Sequence, residues 1–164
     1  MLHPVQPHGL LATLAAAALA GVLGCGEEDR AATDYRRQAN AICAQAERRI
    51  EALPAPATPD GLERYLRRGL AIAKRYDRRL RALEAPAELR AEHLRAGRLS
   101  RRGEVLLESL LDDLGAGLPS PETLGRKLPK LERTVRESNA LAERMGLDEC
   151  VTPLTLPGES PEPS

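Results

Sequence analysis

The side chains of this chain that are able to do chemistry are few and widely spaced. His93 is the only histidine after residue 24, and its neighbours Glu92 and Arg95 belong to a charged helix face, which predicts a solvated surface histidine. The Glu-x-x-His pattern of di-iron bundles is absent. The serines have neither the glycine-flanked nucleophile elbow of a hydrolase nor a general base at a recognisable spacing in the sequence. No glycine-rich phosphate loop occurs either. We therefore predict a protein that is not an enzyme, with no catalytic residue, metal ligand set or cofactor.

The remaining candidate groups are three cysteines, and the first of them ends an uncharged run, Leu10 to Leu23. That run is shorter than the about 20 apolar residues that a helix needs to cross a bilayer, and its place at the N-terminus favours the core of a signal peptide. The segment Val22-Leu23-Gly24-Cys25 resembles the lipobox of bacterial lipoproteins, in which the cysteine is diacylated and becomes the mature N-terminus. It departs from that family in Val22, where Leu is usual, and in having no Lys or Arg before Leu10.

This resemblance implies that residues 1–24 are a lipoprotein signal peptide and that Cys25 carries the lipid anchor. Two acyl chains give stable anchoring where one is marginal, because each buried methylene contributes about 0.8 kcal/mol. The expected location is the extracytoplasmic face of the cell membrane, with fatty acyl groups such as palmitate in the lipid. Residues 25–33 are polar with no apolar pattern, and we expect them to form a short tether.

Lipidation of Cys25 leaves two thiols, Cys43 and Cys150, in an exported chain where oxidation is permitted, and we expect them to form a disulfide. The alternative is two free, buried cysteines. A zinc site has less support, because neither cysteine has a Cys or His at ligand spacing.

Composition excludes one class of partner. Residues 25–164 keep all 24 basic and 24 acidic side chains, so net charge predicts no attraction to a polyanion. The chain has no Trp, no Phe and only three Tyr, so it lacks the stacking platforms of single-strand nucleic-acid binders. We therefore expect no nucleic-acid partner.

Apolar residues at steps of three and four predict four helices, at about 35–53, 59–85, 86–114 and 121–145. Thr58-Pro59 and Ser120-Pro121 each combine an oxygen cap with a first-turn proline, which is typical of a helix start. Asp34 is the expected cap of the first helix. Within the fourth helix Pro129 predicts a kink or a break, because proline removes one backbone hydrogen bond and its ring crowds a carbonyl.

Short connections between these helices predict an all-α, antiparallel up-down-up-down four-helix bundle clipped by one disulfide. In that topology the end of the fourth helix returns to the first, which brings Cys150 towards Cys43. The bundle domain spans residues 34–150, and residues 151–164, with four prolines and few bulky apolar groups, are expected to form a disordered tail. This domain resembles small, uncharacterised secreted helical proteins of high-GC actinobacteria, through Asn40-Ala41-Ile42-Cys43 and the residues from Gly146 to Cys150. The resemblance implies no activity.

Two non-enzymatic roles follow from this layout. The first is a lipid-anchored envelope protein that binds a protein partner or acts as a scaffold; the alternative is an anchored protein that binds a small apolar ligand such as a lipid or isoprenoid. A contiguous apolar cavity would favour the alternative, whereas a solid core with an exposed apolar or basic face would favour a protein or surface partner.

Gly69 and Gly103 are expected to permit close helix packing or to line a small cavity. A phosphate-binding face would require four cationic residues to lie together on one face without ion-pair partners: Arg67, Lys74, Arg78 and Arg81.

Overall fold

The computed structural model describes residues 24–56, 58–117 and 120–152. Those residues form no strand and four long helices: α1 (Gly24–Glu51), α2 (Pro59–Arg81), α3 (Arg90–Gly115) and α4 (Pro121–Met145). Each helix packs against the next along the chain. After α4 comes a short 3-10 helix, Asp148–Cys150, here named the C-terminal turn, which packs against both α1 and α4. The predicted all-α four-helix bundle is confirmed.

Two of the three predicted helix caps, Thr58 and Ser120, are confirmed, whereas the prediction that Asp34 caps the first helix is wrong because Asp34 lies inside α1. The Oγ1 atom of Thr58 accepts a hydrogen bond of 3.1 Å from the backbone N–H of Gly61, and Ser120 Oγ accepts one of 3.2 Å from Thr123. Each satisfies an amide that has no partner within the helix. At the other end of α4, Gly146 adopts a left-handed conformation with φ 70° and ψ 37°, which glycine reaches without steric cost.

Helix α1 starts earlier than its apolar spacing predicts. It begins at Gly24 rather than near Tyr35, so residues 25–33, expected as a polar tether, are helical. Ala32 continues the buried stripe of Tyr35 and Ala39 by one more turn, and all three are buried, which explains the extension of the packed part of α1 to Ala32. Residues 28–31, which precede it in the helix, are exposed. Residues 1–23 of the expected signal peptide, 1–24, lie outside the described residues, as do residues 153–164 of the expected disordered tail. Within the described ranges, no helix is both long and apolar enough to cross a membrane.

Two other helices differ from expectation. Of the kink or break expected at Pro129, the break is absent: α4 is continuous from Pro121 to Met145, because Pro129 and Gly125 are both exposed and water can bond the Gly125 carbonyl that proline leaves free. The α-helical part of α3 begins at Arg90 instead of near Pro86, since a 3-10 turn, Ala87–Leu89, precedes it.

The core is strongly buried at the end of the bundle where α4 finishes. Leu141 and Met145 are each 1 % exposed and pack with the buried residues of α1. Leu128 of α4 is 40 % exposed and does not belong to this core. Its neighbour Lys127 contacts α3 instead, donating hydrogen bonds to the backbone oxygen of Ser109 at 3.0 Å and to its hydroxyl at 2.6 Å.

Candidate functional site

A cavity of about 480 Å³ that is partly open to solvent lies between the helices, and we call it the central cavity. Residues of all four helices and of the C-terminal turn line it. One core-facing alanine from each helix contributes to its wall: Ala46, Ala73, Ala96 and Ala142. A methyl group at each of these positions leaves room that a larger side chain would fill. The cavity therefore follows from small residues placed at the same positions that the apolar stripes predict as the bundle interior.

Aliphatic and aromatic groups complete much of the wall. Ile50, Tyr76, Leu80, Leu147 and Val151 all line the cavity. The hydroxyl-bearing residues Ser100 and Ser138 also line it, from α3 and α4. A mostly apolar surface with a few polar groups is typical of small-molecule sites, whose volumes are about 300–1,000 Å³.

One end of the central cavity carries an aromatic pair that the sequence did not reveal. Tyr35 and His93 share a hydrogen bond of 2.9 Å between Oη and Nδ1, and their rings meet edge to face. The prediction that His93 is a solvated surface residue is wrong: it is half-buried and lines the cavity. Burial raises the pKa of the Tyr35 phenol, because the phenolate would lose its hydration. These residues are 58 positions apart, so local spacing carries no signal of the contact.

A second polar group lies between α2 and α3. Asp77 is buried, lines the cavity and forms an ion pair with Arg81 one turn later. Burial, and then the charge of Asp77, raises the pKa of the neighbouring Glu104 carboxyl. Gly97 leaves room for this arrangement, because a Cβ atom there would lie 3.2 Å from Arg81 Cδ. The positive charge of Arg81, which lines the cavity, is thus balanced by the carboxylate of Asp77.

The opening of the central cavity is acidic. Among its lining residues, those that are exposed are Glu47, Glu51, Glu149 and Thr152, and we call these four the cavity mouth. None of the three glutamates forms an ion pair with another described residue. Glu51 is the last residue of α1 and Glu47 lies about one turn before it, so both are near the carbonyl end of the helix, which carries partial negative charge.

The expected disulfide is present and lies in the cavity wall. Cys43 and Cys150 are bonded, with Cα atoms 5.1 Å apart, and both line the cavity. The bond ties α1 to the C-terminal turn, which fills the space between α1 and α4. Cys25, the residue expected to carry the lipid anchor, falls in the first turn of α1.

Polar side chains hold the same segment in place. Asn40 Nδ2 donates to the backbone oxygen of Gly146 at 3.2 Å, while its Oδ1 accepts from the N–H of Glu149 at 3.2 Å. Asn139 pairs in the same two-sided way with the backbone of Thr152, at 2.7 and 3.0 Å. These contacts give a physical role to Asn40 in the Asn40–Cys43 segment.

The candidate phosphate-binding face is not a group of free cations. Arg67 pairs with Glu63 and Asp112, Lys74 pairs with Glu108, and Arg81 pairs with Asp77. Of the four cations, Arg78 alone lacks an ion-pair partner within the described ranges. These carboxylates lower the attraction of the face for an anion.

Other candidate positions contribute little to the site. Gly69 and Gly103 do not line the central cavity and do not mark close helix contacts: a Cβ atom would meet nothing within 4 Å at Gly69, and a Thr134 methyl at 3.9 Å at Gly103. No group of three or more His, Cys, Asp or Glu side chains is arranged to hold a metal ion in the part of the chain that the structure describes.

The central cavity, its acidic mouth and the disulfide beside it form the candidate site. Its interpretation rests on the geometry of this chain. No protein-family model, no curated protein and no solved structure matches the chain.

Proposed function

We propose that this protein is a lipid-anchored protein of the cell envelope that binds a small, mostly apolar molecule in the central cavity. The observation that carries the proposal is the cavity itself, about 480 Å³ in the centre of a four-helix bundle. The surface that lines the cavity is mostly apolar, and apolar surface gains free energy when it is removed from contact with water. An apolar molecule that covers this surface would therefore bind favourably.

The anchoring part of the proposal rests on Cys25 and the apolar run before it. Acylation at Cys25 would place the lipid at the start of α1, and the domain would then be held close to the membrane on its extracytoplasmic side. The Cys43–Cys150 disulfide is consistent with this location, because disulfides persist in oxidising compartments. An anchored binding protein would meet ligands that partition into or leave that membrane.

A protein scaffold has less support from the surface. The large apolar side chains that are exposed on α3, Leu94 at 55 % and Val105 at 63 %, lie about 16 Å apart along the helix. Single exposed apolar residues are usual on monomeric proteins, whereas interaction sites expose contiguous patches.

Native mass spectrometry of the protein extracted from its own membrane tests the proposal. We expect a mass that includes acyl groups and is lower by two hydrogen atoms because of the disulfide, and a non-covalent adduct of a small apolar molecule. A protein that carries its acyl groups but never retains an adduct, in any of several mild detergents, would contradict the binding role. An unacylated mature chain would contradict the anchor.

Matched variants connect the adduct to the cavity. Ala73→Leu and Ala96→Leu, made together, extend side chains from the wall into the cavity and should abolish the adduct. Ala71→Leu and Ala91→Leu add the same atoms to exposed positions on the same two helices and should leave it unchanged. Equal retention by both pairs would show that the adduct binds elsewhere. Helicity measured by circular dichroism confirms that each variant is folded.

A further inference from the structure

We infer that the ligand of the central cavity is a cationic amphiphile, with its apolar part inside the bundle and an ammonium-type group at the cavity mouth. This inference rests on the proposed binding function and adds the charge of the ligand to it. Two observations support it. The interior is mostly apolar and its one Arg or Lys is paired with a carboxylate, whereas three carboxylates lie at the opening.

The interior of the cavity offers little selectivity by charge. Arg81 is the one Arg or Lys among the lining residues, and it is paired with the buried carboxylate of Asp77. A ligand carboxylate or phosphate placed there would have to compete with Asp77 for the same guanidinium. The interior therefore favours an uncharged chain or ring, which loses no hydration energy on entry.

The mouth does distinguish charges. Glu47, Glu51 and Glu149 lie around the opening without ion-pair partners among the described residues, and the carbonyl end of α1 adds to their potential. Arg48 and Arg49, in the last turn of α1, are exposed and offset part of this potential, but they do not line the cavity, so the carboxylates are the charges nearest to a bound ligand. An ammonium group at this position would stay partly hydrated while it contacts the carboxylates, so its desolvation cost is small. An anionic group would be repelled.

The expected selectivity follows from elementary electrostatics. One contact between unit charges at about 4 Å in bulk water changes an affinity about fivefold. A cationic probe should therefore bind at least about fivefold more tightly than an uncharged probe with the same chain, and an anionic probe should bind about fivefold more weakly. Added salt should reduce both differences, because exposed charges are screened.

The full chain, released from its membrane into a non-ionic detergent, is titrated with decyltrimethylammonium, decanol and decanoate, and bound probe is counted by native mass spectrometry. The variant E47Q/E51Q/E149Q removes the charges of the mouth and should bind the three probes with similar affinity, while its affinity for decanol stays unchanged. The control E84Q/E88Q/E143Q removes three exposed carboxylates outside the cavity lining and should keep the preference for the cation.

The outcomes separate this inference from the binding function on which it rests. Equal binding of the three probes by the unmodified chain, or tightest binding of decanoate, overturns the cationic ligand and leaves a cavity that binds apolar chains. A preference for the cation that survives E47Q/E51Q/E149Q also overturns it. Failure of every probe to bind, together with no natural adduct, overturns the binding function itself.

Discussion

The disulfide between Cys43 and Cys150 should supply a large share of the stability of this small domain. Replacing both cysteines with alanine removes the cross-link and leaves small apolar groups in its place. The two positions are 107 residues apart in sequence, so the bond closes nearly the whole bundle into one covalent ring. Opening that ring returns conformational freedom to the unfolded chain.

The magnitude follows from the length of the ring. Loop-entropy models give about 4.7 kcal/mol for a closed loop of about 100 residues, and measured values for disulfides are typically 2–4 kcal/mol. One kcal/mol corresponds to roughly 4 °C for a domain of this size, so we expect Cys43→Ala/Cys150→Ala to lower Tm by about 10–20 °C. The slope of unfolding free energy against urea should increase as well, because an open chain exposes more surface when unfolded.

Thermal and urea unfolding followed by circular dichroism at 222 nm measure both quantities. The unmodified chain treated with a phosphine reductant should reproduce the fall in Tm, whereas the double variant should not respond to the reductant. A double variant that melts within about 3 °C of the unmodified chain would refute the loop-entropy reasoning. Free reaction of Cys43 and Cys150 with an alkylating reagent in the folded, unreduced protein would refute the bond.

Three further predictions concern single residues. Asn40→Ala removes both hydrogen bonds to the segment after α4 and should destabilise the fold by about 1–3 kcal/mol in urea unfolding, with the disulfide intact. Gly146→Ala places a Cβ atom at φ 70° and should cost about 1–2 kcal/mol, whereas Gly125→Ala, at an exposed helical site, should stabilise by up to about 1 kcal/mol. Because its pKa is raised, Glu104 stabilises the fold in its protonated form, and this contribution is lost as pH rises from the unfolded value of about 4.3 through the raised pKa. Glu104→Gln should flatten that decline in a series of Tm measurements against pH, and an unchanged profile would contradict the assignment.

Local patterns were sufficient to predict the architecture. The stripes of apolar residues and the caps at Thr58 and Ser120 depend on neighbours within one or two turns, and each has the predicted structural role. The disulfide could be predicted because topology places the end of α4 beside α1. The packed turn at Ala32 was missed because one alanine is a weak signal in an otherwise polar segment. The exposed residues 28–31 have no apolar stripe from which their helical structure could be predicted.

The candidate site was harder to anticipate. The four alanines of the cavity wall were recognisable as interior positions, but their sequence spacing does not say that they meet at one level of the bundle. The Tyr35–His93 contact and the acidic mouth arise from helices that are far apart in the chain. Such juxtapositions depend on the relative rotation and shift of packed helices, which a 3.6-residue period leaves open.

The position of the disulfide determines how the protein carries mechanical force. A pull between the first residues of α1 and Thr152 would travel along α1 to Cys43, cross the sulfur–sulfur bond and leave through Cys150. Helices α2, α3 and α4 lie inside the covalent ring and would bear no tension. If Cys25 is held in a membrane while the C-terminal end is drawn outward, α2, α3 and α4 would remain folded under a load sufficient to extend an uncrosslinked chain.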